Sequence, residues 1–403
     1  MDYNKKQRIY NTIMLVVLSI TVTFIVTTVG LYKFWSSNPK QKFVMLPSAQ
    51  SGVSADISRV KAIIDKYYLG DVDEQKLTDA AVKGYVSGLG DEYSEYITKE
   101  ELSDFKSDIT GNYNGVGIYY GRLKDSSEVV VITAIKDTPA YKAGIQPGDI
   151  ITKINDEEIS SEESLTSVAN KIKGEVGSSV KLTIKRGEEV KEFNLTRENI
   201  QLHKVESKML ENNIGYINIS SFDEETANQF KDEYSKLEKE GIKSLIIDLR
   251  NNGGGIVQEA TDIADRILKK DLVILSTKDK NGEEEITKAK DDDSINIPII
   301  VLVNENSASA SEILAGALKD NKVAQIVGTK TFGKGVIQSV FTLSNGSALK
   351  LTIEEYYTPS NTKINHVGIT PDIEVKLPDD IENQYLIPEE QDTQLQKAIE
   401  LLK

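Results

Sequence analysis

The chain has 403 residues, with 48 Lys and Arg against 63 Asp and Glu, which gives a formal net charge of −15. This length predicts two or three domains, and the acidic balance argues against a nucleic-acid partner, which needs a concentrated positive field. The absence of Cys excludes disulfides, cysteine nucleophiles and thiolate zinc sites. The only two imidazoles, His203 and His366, exclude a His-rich metal cage; we assign neither to catalysis and expect no cofactor or metal.

The N-terminal 32 residues indicate a membrane anchor. Residues 1–10 contain three cations and one acid, and residues 11–32 contain no charge, close to the roughly 20 apolar residues that a transmembrane helix needs. The positive-inside rule then predicts a cytoplasmic segment over 1–10, a signal anchor over 11–32, and an extracytoplasmic chain that starts with a linker over 33–52. A cleaved signal peptide is the alternative, although its apolar region usually spans about 7 to 15 residues.

Residues 53–110 are predicted to be helical, because apolar side chains recur at spacings of three and four until Gly90 interrupts the pattern. A terminal helix is predicted over 391–403 on the same grounds. Two roles stay open for these helices, dimerisation and capping of the core.

Short strands punctuated by Gly and Asp follow over 111–200, with one amphipathic helix over 163–173. The loop GVGI before a strand and the later run AGIQPGDIITKIN together resemble a PDZ domain. The resemblance implies that loop N–H groups hold the carboxylate of a protein C-terminus while the tail adds as an extra strand, with a preference for an apolar last residue. The residues it assigns to the peptide are Gly115, Val116, Gly117, Ile118, Leu165, Val168, Ala169 and Ile172. Alternatively, GVGI is only a tight turn and PGD only a loop.

From residue 201 to 403 apolar strands alternate with helices, which predicts an α/β core with a largely parallel sheet and flanking helices. The strands include DLVILST over 271–277, and a hairpin with an Asn345–Gly346 turn is predicted over 336–358. Sites in parallel sheets lie at the carboxyl ends of the strands.

Two polar motifs follow predicted strands of this core, DLRNNGGG over 248–255 and NENSASASE over 304–312. A Ser at a strand-to-helix turn can be a nucleophile beside free N–H groups, or simply an N-cap. A third motif, GTKTFGKGVIQ over 328–338, is one residue short of a phosphate-binding P-loop, but Gly335 replaces the Ser or Thr that would hold Mg²⁺ and a strand-like run follows. An NTPase is therefore a minor alternative.

With these motifs the chain resembles the C-terminal processing peptidases, or tail-specific proteases, which are serine proteases with a Ser-Lys dyad. The likeness extends over GLGDEYSEYI, the PDZ region, DLRNNGGG, NSASASE, KTFGKGVIQ and VGITPD. It implies that Ser309 is the nucleophile, Lys334 the general base and Gln338 the group that orients the lysine. It also implies an oxyanion hole from the N–H groups of Ala310 and of a glycine in 253–255, for which we favour Gly254 or Gly255.

Two physical conditions accompany this assignment. A lysine can deprotonate a serine only when burial lowers its pKa from about 10.4. Direct contact between Lys334 and Gln338 also requires a turn or helical twist, because extended residues at this spacing lie about 13 Å apart.

The sequence thus predicts a membrane-anchored extracytoplasmic serine endopeptidase whose partners are proteins with free C-termini and, in a dimer, a second copy of the chain. A catalytically silent membrane-tethered PDZ adaptor is the alternative. The acidic runs over 283–285 and 291–293 lack the spacing of a Ca²⁺ loop and are interpreted as solvated.

Overall fold

A computed structural model describes residues 52–102, 105, 111–122, 127–291, 294–378 and 387–403. The chain divides into two compact units, Met1–Gly84 and Tyr85–Lys403. The helices are α1 (Val53–Tyr67), α2 (Glu74–Ser87), α3 (Pro139–Lys142), α4 (Leu165–Ile172), α5 (Thr226–Lys239), α6 (Val257–Ile267), α7 (Ala310–Asp320) and α8 (Thr393–Leu401). The strands are β1 (Glu95–Ile97), β2 (Asn112–Gly115), β3 (Ile118–Arg122), β4 (Val129–Ala134), β5 (Ile150–Ile154), β6 (Glu157–Glu158), β7 (Ser179–Arg186), β8 (Glu189–Thr196), β9 (Glu198–Gln201), β10 (Val205–Leu210), β11 (Ile214–Ile219), β12 (Ser244–Asp248), β13 (Val273–Asp279), β14 (Glu284–Lys288), β15 (Ile299–Val303), β16 (Ala324–Gly328), β17 (Val336–Thr342), β18 (Ala348–Tyr357) and β19 (Ile373–Glu374).

The first unit contains α1 and most of α2. Helix α1 buries none of its residues and exposes Val53, Ile57 and Val60, which recur at helical spacing. The predicted membrane anchor over 11–32 lies outside the described residues. Among the helices that the structure does describe, none is long and apolar enough to span a bilayer.

The inserted mainly-β domain is a sheet of order β3-β4-β5-β7-β8, with β6 on β5 and α4 beside it. Its core contains alternate residues of the strands, such as Val129 and Val131 of β4 and Leu182 and Ile184 of β7. Strands β2 and β9, which pair antiparallel, lie where the chain enters and leaves the domain. Strand β3 is an edge of the sheet, so one side of its backbone can accept another strand.

The main sheet of the core has the order β10-β11-β12-β15-β16-β19. Its β10–β11 pairing is antiparallel and the other four are parallel. Strands β12 and β15 are buried along their whole length, because α5, α6 and α7 cover one face and α8 covers the other. Leu395, Ala398 and Ile399 of α8 pack in this core, which favours the capping role of the terminal helix.

A second sheet corrects the predicted place of one strand and contains the predicted hairpin. It has the order β1-β18-β13-β14, with β17 on β18, and all its pairings are antiparallel. The predicted strand over 271–277 therefore lies outside the parallel sheet, because a turn at Gly282 leads directly back into β14, and no helix is available for a parallel crossover. The hairpin over 336–358 forms as predicted and supplies β17 and β18 of this sheet.

The helical prediction for 53–110 is wrong over 88–98, whereas 99–102 and 105 are helical as predicted and 106–110 lie outside the described residues. Residues Glu95–Ile97 form β1, which pairs with Lys350–Ala348 of β18. A three-residue strand is too short to show a period of its own, so only its partner strand defines it.

We predict that Arg250→Met lowers the free energy of unfolding by about 3–5 kcal/mol, because it leaves two buried carboxylates without their cation. The Arg250 guanidinium contacts Asp248 at 2.6 Å and Asp392 at 2.8 Å, and the three side chains are at most 9% exposed. The control is Lys397→Met at the surface pair with Glu400, where we expect a change within about 0.5 kcal/mol. Urea denaturation measures both, and equal effects would contradict a structural role of the buried cluster.

Candidate active site

Ser309 lies at the turn between β15 and α7, as the N-cap of the helix. Its backbone has φ 57° and ψ −116°, a strained conformation for a residue with a side chain. Sharp strand-to-helix turns of this kind present nucleophilic serines beside the free N–H groups of a helix N-terminus. Ser309 therefore occupies the N-cap and has the geometry of a nucleophile at the same time.

The other two serines of the NSASASE motif are structural. The Ser307 hydroxyl donates to the Leu249 carbonyl at 2.8 Å, and the Ser311 hydroxyl donates to the Asn252 carbonyl at 2.9 Å. These bonds fasten the serine turn to the DLRNNGGG loop, which leaves Ser309 as the serine of the motif that lines a cavity.

A buried carboxylate joins the Ser309 turn to the Lys334 loop. Glu312, fully buried in the first turn of α7, accepts the N–H groups of Ser309 and Lys334 at 2.9 Å each. It also accepts the Gly333 N–H at 2.8 Å and the Thr331 hydroxyl at 2.6 Å. Burial raises the pKa of Glu312, while these four donors lower it. The carboxylate therefore fixes the main chain at both predicted dyad positions.

Tyr356 makes a second bridge between the same loops. Its buried hydroxyl lies 3.0 Å from the Ser309 carbonyl oxygen and also contacts the carbonyl of Lys334. Burial and the Glu312 charge raise its pKa well above the ordinary value, so the phenol stays protonated and can donate.

The Lys334 side chain is half-buried, and its ammonium lies 4.6 Å from the centroid of the Tyr93 ring. Desolvation lowers its pKa, and the Lys350 charge lowers it further, against the opposing effect of Asp91, Glu92 and Glu95. Within the described chain, no hydrogen bond joins this side chain to Ser309 or Gln338. The lysine is thus in the environment that a general base needs, but it points to an aromatic ring.

One cavity of about 690 Å³ contains most of the predicted catalytic set. Its lining includes Ser309, Lys334, Gln338, Gly254 and Gly255. Neither His203 nor His366 lines it. Residues that are far apart in sequence therefore meet at the carboxyl ends of β12 and β15, as the rule for parallel sheets predicts.

The predicted contact between Lys334 and Gln338 is absent from the described structure. Gln338 is a residue of β17, and a β-bulge lies between Ile337 and Gln338, so the segment is extended instead of turned. The Gln338 amide donates to the Thr352 hydroxyl at 3.3 Å. Pairing with β18 determines this conformation, which the spacing in the sequence does not reveal.

The hydrogen bonds of the glycine loop, residues 253–255, limit which of its N–H groups can be the oxyanion donor. The Gly254 N–H already donates to the Asn252 side chain at 2.9 Å. Gly255 has φ 144°, and a Cβ there would lie 2.0 Å from the Phe222 carbonyl oxygen, so glycine is required. The N–H groups of Gly255 and Ala310 have no acceptor among the described residues, which makes them the better oxyanion candidates.

The predicted peptide groove is a separate cavity of about 260 Å³ in the inserted domain. Five of the predicted residues line it, namely Val116, Gly117, Ile118, Ala169 and Ile172. Gly115, Leu165 and Val168 are not in its lining. Val168 instead packs in the core of the domain. Only Val168 and Ile172 of the short helix α4 are buried, so the buried face of this helix is narrower than its apolar residues suggest.

Four residues of the site were not predicted, namely Glu312, Thr331, Tyr356 and Tyr93. A signal existed for Glu312, because Ser309-x-x-Glu312 is a capping-box pattern, which joins an N-cap residue to the third residue of its helix. Tyr93 and Tyr356 reach the site through β1 and β18, whose pairing no local pattern encodes. In the described part of the chain, no group of three or more acidic or His side chains is arranged to hold a metal ion.

Comparison with known proteins gives the family. The model of peptidase family S41 matches residues 213–375, a PDZ-domain model matches 130–186, and a model of the N-terminal domain of the activating protease CtpB matches 28–101. A "Probable CtpA-like serine protease" of Staphylococcus aureus (strain COL) is 35% identical over 362 residues, which cover 89% of this chain and 71% of that protein. The chain belongs to the CtpA-like serine proteases. The resemblance to tail-processing peptidases and the PDZ prediction are thereby confirmed.

A further curated relative and two solved structures are similar to the chain. The Staphylococcus haemolyticus (strain JCSC1435) protein is 38% identical over 305 residues, covering 75% of this chain and 61% of that protein. The chain therefore spans about six to seven tenths of the length of these two relatives. A Bacteroides fragilis NCTC 9343 protein assigned to the S41 proteases shares the fold, with a TM-score of 0.53 at 17% identity and coverage of 88% of this chain and 98% of that one. The photosystem II D1 C-terminal processing protease is 30% identical, with a TM-score of 0.48 and coverage of 81% and 89%.

We predict that Gly254→Ala reduces proteolysis at least about tenfold, because a displacement of a few tenths of an ångström to an ångström at a reacting centre is costly. Gly254 has φ 99°, and a Cβ there would lie 2.7 Å from the Ala308 carbonyl oxygen and 2.8 Å from Ser309 Cβ. The matched control is Gly253→Ala, where a Cβ would meet no atom within 4 Å, and we expect activity within about twofold. Hydrolysis of an unfolded protein measures both, and equal losses would show that the loop tolerates no side chain anywhere.

Proposed function

We propose that this CtpA-like protease is a membrane-anchored extracytoplasmic endopeptidase that binds protein C-terminal tails in its PDZ groove and cleaves with a Ser309–Lys334 dyad. The observation that carries the proposal is the cavity in which both side chains meet the 253–255 glycine loop. Three further features support it, namely the strained turn at Ser309, the lowered pKa of Lys334 and the N–H groups of Gly255 and Ala310, which no acceptor of the described chain occupies.

In the proposed reaction, neutral Lys334 takes the proton of the Ser309 hydroxyl as the oxygen attacks the peptide carbonyl carbon. The Ala310 and Gly255 N–H groups donate to the resulting oxyanion. The Lys334 ammonium then gives its proton to the leaving amine, which releases one product and leaves an acyl ester on Ser309. Water, deprotonated by Lys334, hydrolyses the ester by the same steps and restores both residues.

This mechanism requires one movement. Lys334 must rotate from the Tyr93 ring towards Ser309, since its main chain is already held by Glu312. A cation–π contact favours the ammonium form, so leaving the ring also favours loss of the proton. We propose that Gln338 orients the lysine only after this rotation, because its amide bonds Thr352 in the present arrangement.

For tail recognition, we propose strand addition along the free edge of β3. The tail would end at the 115–118 loop with its last side chain against Ile118, Ala169 and Ile172. These apolar contacts favour an apolar terminal residue.

Membrane anchoring rests on the charge pattern of residues 1–32, and a homodimer through α1 rests on its exposed apolar stripe.

We predict that Ser309→Ala and Lys334→Met each reduce cleavage of an unfolded protein with an apolar C-terminus by at least about 10²–10⁴-fold. In the unmodified protein, the rate should rise with pH as Lys334 loses its proton, through an apparent pKa below 10.5 because burial and Lys350 lower it. Lys334→Arg should be inactive at every pH, since a guanidinium keeps its proton.

The control for this experiment is Lys330→Met, an exposed lysine four positions earlier in the same loop, for which we expect activity within about twofold. Persistent cleavage by Ser309→Ala would refute the dyad. Tail binding by every variant without cleavage by the unmodified protein would instead support the adaptor alternative.

We predict that the full chain stays with membranes through a high-salt and alkaline wash, and that deletion of residues 11–32 releases it. A protease added outside intact cells stripped of their wall should degrade the PDZ and protease regions. Release of the undeleted chain by the wash, or protection from the added protease, would contradict the proposed topology.

A further inference from the structure

The carboxylate end of the PDZ groove already contains a side chain of this protein. Tyr113, on β2, lines the groove cavity together with Val116, Gly117 and Ile118. Its ring rests on Gly115, since a Cβ on that glycine would lie 2.7 Å from Tyr113 Cε2. Glycine at position 115 therefore leaves the space that the Tyr113 ring needs at the start of the 115–118 loop.

The Tyr113 hydroxyl oxygen faces the loop N–H groups. Burial raises the pKa of Tyr113 to about 12, and the N–H groups of Gly117 and Ile118 act against this by interacting with its oxygen. The phenol is consequently neutral at physiological pH. Tyr113 thus shares its cavity with the N–H groups that the PDZ mode of recognition assigns to the carboxylate of a bound tail.

We propose that Tyr113 competes with the carboxylate of a protein tail for the N–H groups of the 115–118 loop. This competition sets the affinity of the groove for protein C-termini. The inference rests on the proposed tail recognition by the PDZ domain. A free C-terminus replaces a neutral acceptor with a charged one, and charge-assisted hydrogen bonds are about twice as strong as neutral ones. An amidated terminus brings no charge and does not displace the phenol.

The charges around the groove fit an anionic ligand. Lys173 and Lys204 line the same cavity as Tyr113. Lys204 belongs to the segment that leads into the protease core, where its main-chain N–H donates to the Gln229 side chain at 2.7 Å. The Lys204 position is thus fixed by the core, and its charge favours exchange of the phenol for a carboxylate.

The experiment measures the binding of two fluorescent peptides with the same apolar last residue, one with a free carboxylate and one amidated. The full chain is used in detergent micelles and carries Ser309→Ala to prevent cleavage. Tyr113→Phe keeps the ring and removes the hydroxyl. We expect it to bind the free-acid peptide about three- to tenfold more tightly, because the carboxylate no longer competes with a neutral acceptor for the loop N–H groups. Binding of the amidated peptide should not change.

Tyr141→Phe is the control, because Tyr141 is an exposed tyrosine of the same domain that does not line the groove cavity. We expect no change in affinity for it. The thermal unfolding midpoint of each variant is measured as well. If the Tyr113 hydroxyl had only a structural role, Tyr113→Phe would shift this midpoint and leave the affinity for the peptide unchanged.

Weaker or unchanged binding of the free-acid peptide by Tyr113→Phe overturns the inference, and so does equal tightening of the amidated peptide. These outcomes leave the proposed tail recognition intact, provided that the unmodified groove prefers the free acid. If that groove binds the two peptides equally, the proposed carboxylate recognition itself fails, and the inference fails with it.

Discussion

The candidate active site depends on one buried carboxylate. Glu312 receives four hydrogen bonds, two of them from the N–H groups of Ser309 and Lys334, although these residues are 25 positions apart. A carboxylate removed from water is stable only when donors replace its hydration, so the polypeptide must bring both loops to it. Ser309 is the N-cap of the same helix, and the capping interaction therefore also determines the distance between the two loops.

In the proposed mechanism, this arrangement combines a fixed main chain with a side chain that moves. Glu312 and Tyr356 hold the main chain at Ser309 and Lys334, while the Lys334 ammonium would exchange the Tyr93 ring for the serine hydroxyl. A cation–π contact is worth about 0.5–2 kcal/mol, which a bound substrate can supply through a few contacts. One rotation of a side chain is then enough to separate a resting site from a competent one, without rearrangement of the sheet.

The sequence was informative wherever function depends on local order. The serine turn, the glycine loop and the lysine loop each follow a buried strand, and the strand-end rule placed them together correctly. Prediction failed where pairing with distant strands decides the outcome. Strand β1 exists only because β18 accepts it, and Gln338 is extended because β17 pairs with the same strand. The Gly254 N–H, occupied by Asn252, could not be predicted either, since a side chain two residues away competes for it.

A main-chain hydrogen bond joins a segment that lines the groove to a segment that leads to the active-site cavity. Lys204 lines the groove, and its carbonyl accepts the Ser220 N–H at 2.9 Å. Ser221 and Phe222, the next residues, line the active-site cavity. The Phe222 N–H donates to the Gly254 carbonyl at 3.0 Å, and its own carbonyl accepts the Ile256 N–H at 2.8 Å. A ligand that contacts Lys204 would thus lie one main-chain hydrogen bond away from the 220–222 segment, which is itself hydrogen-bonded to the glycine loop. These bonds form a physical route between the proposed tail-binding groove and the proposed oxyanion site.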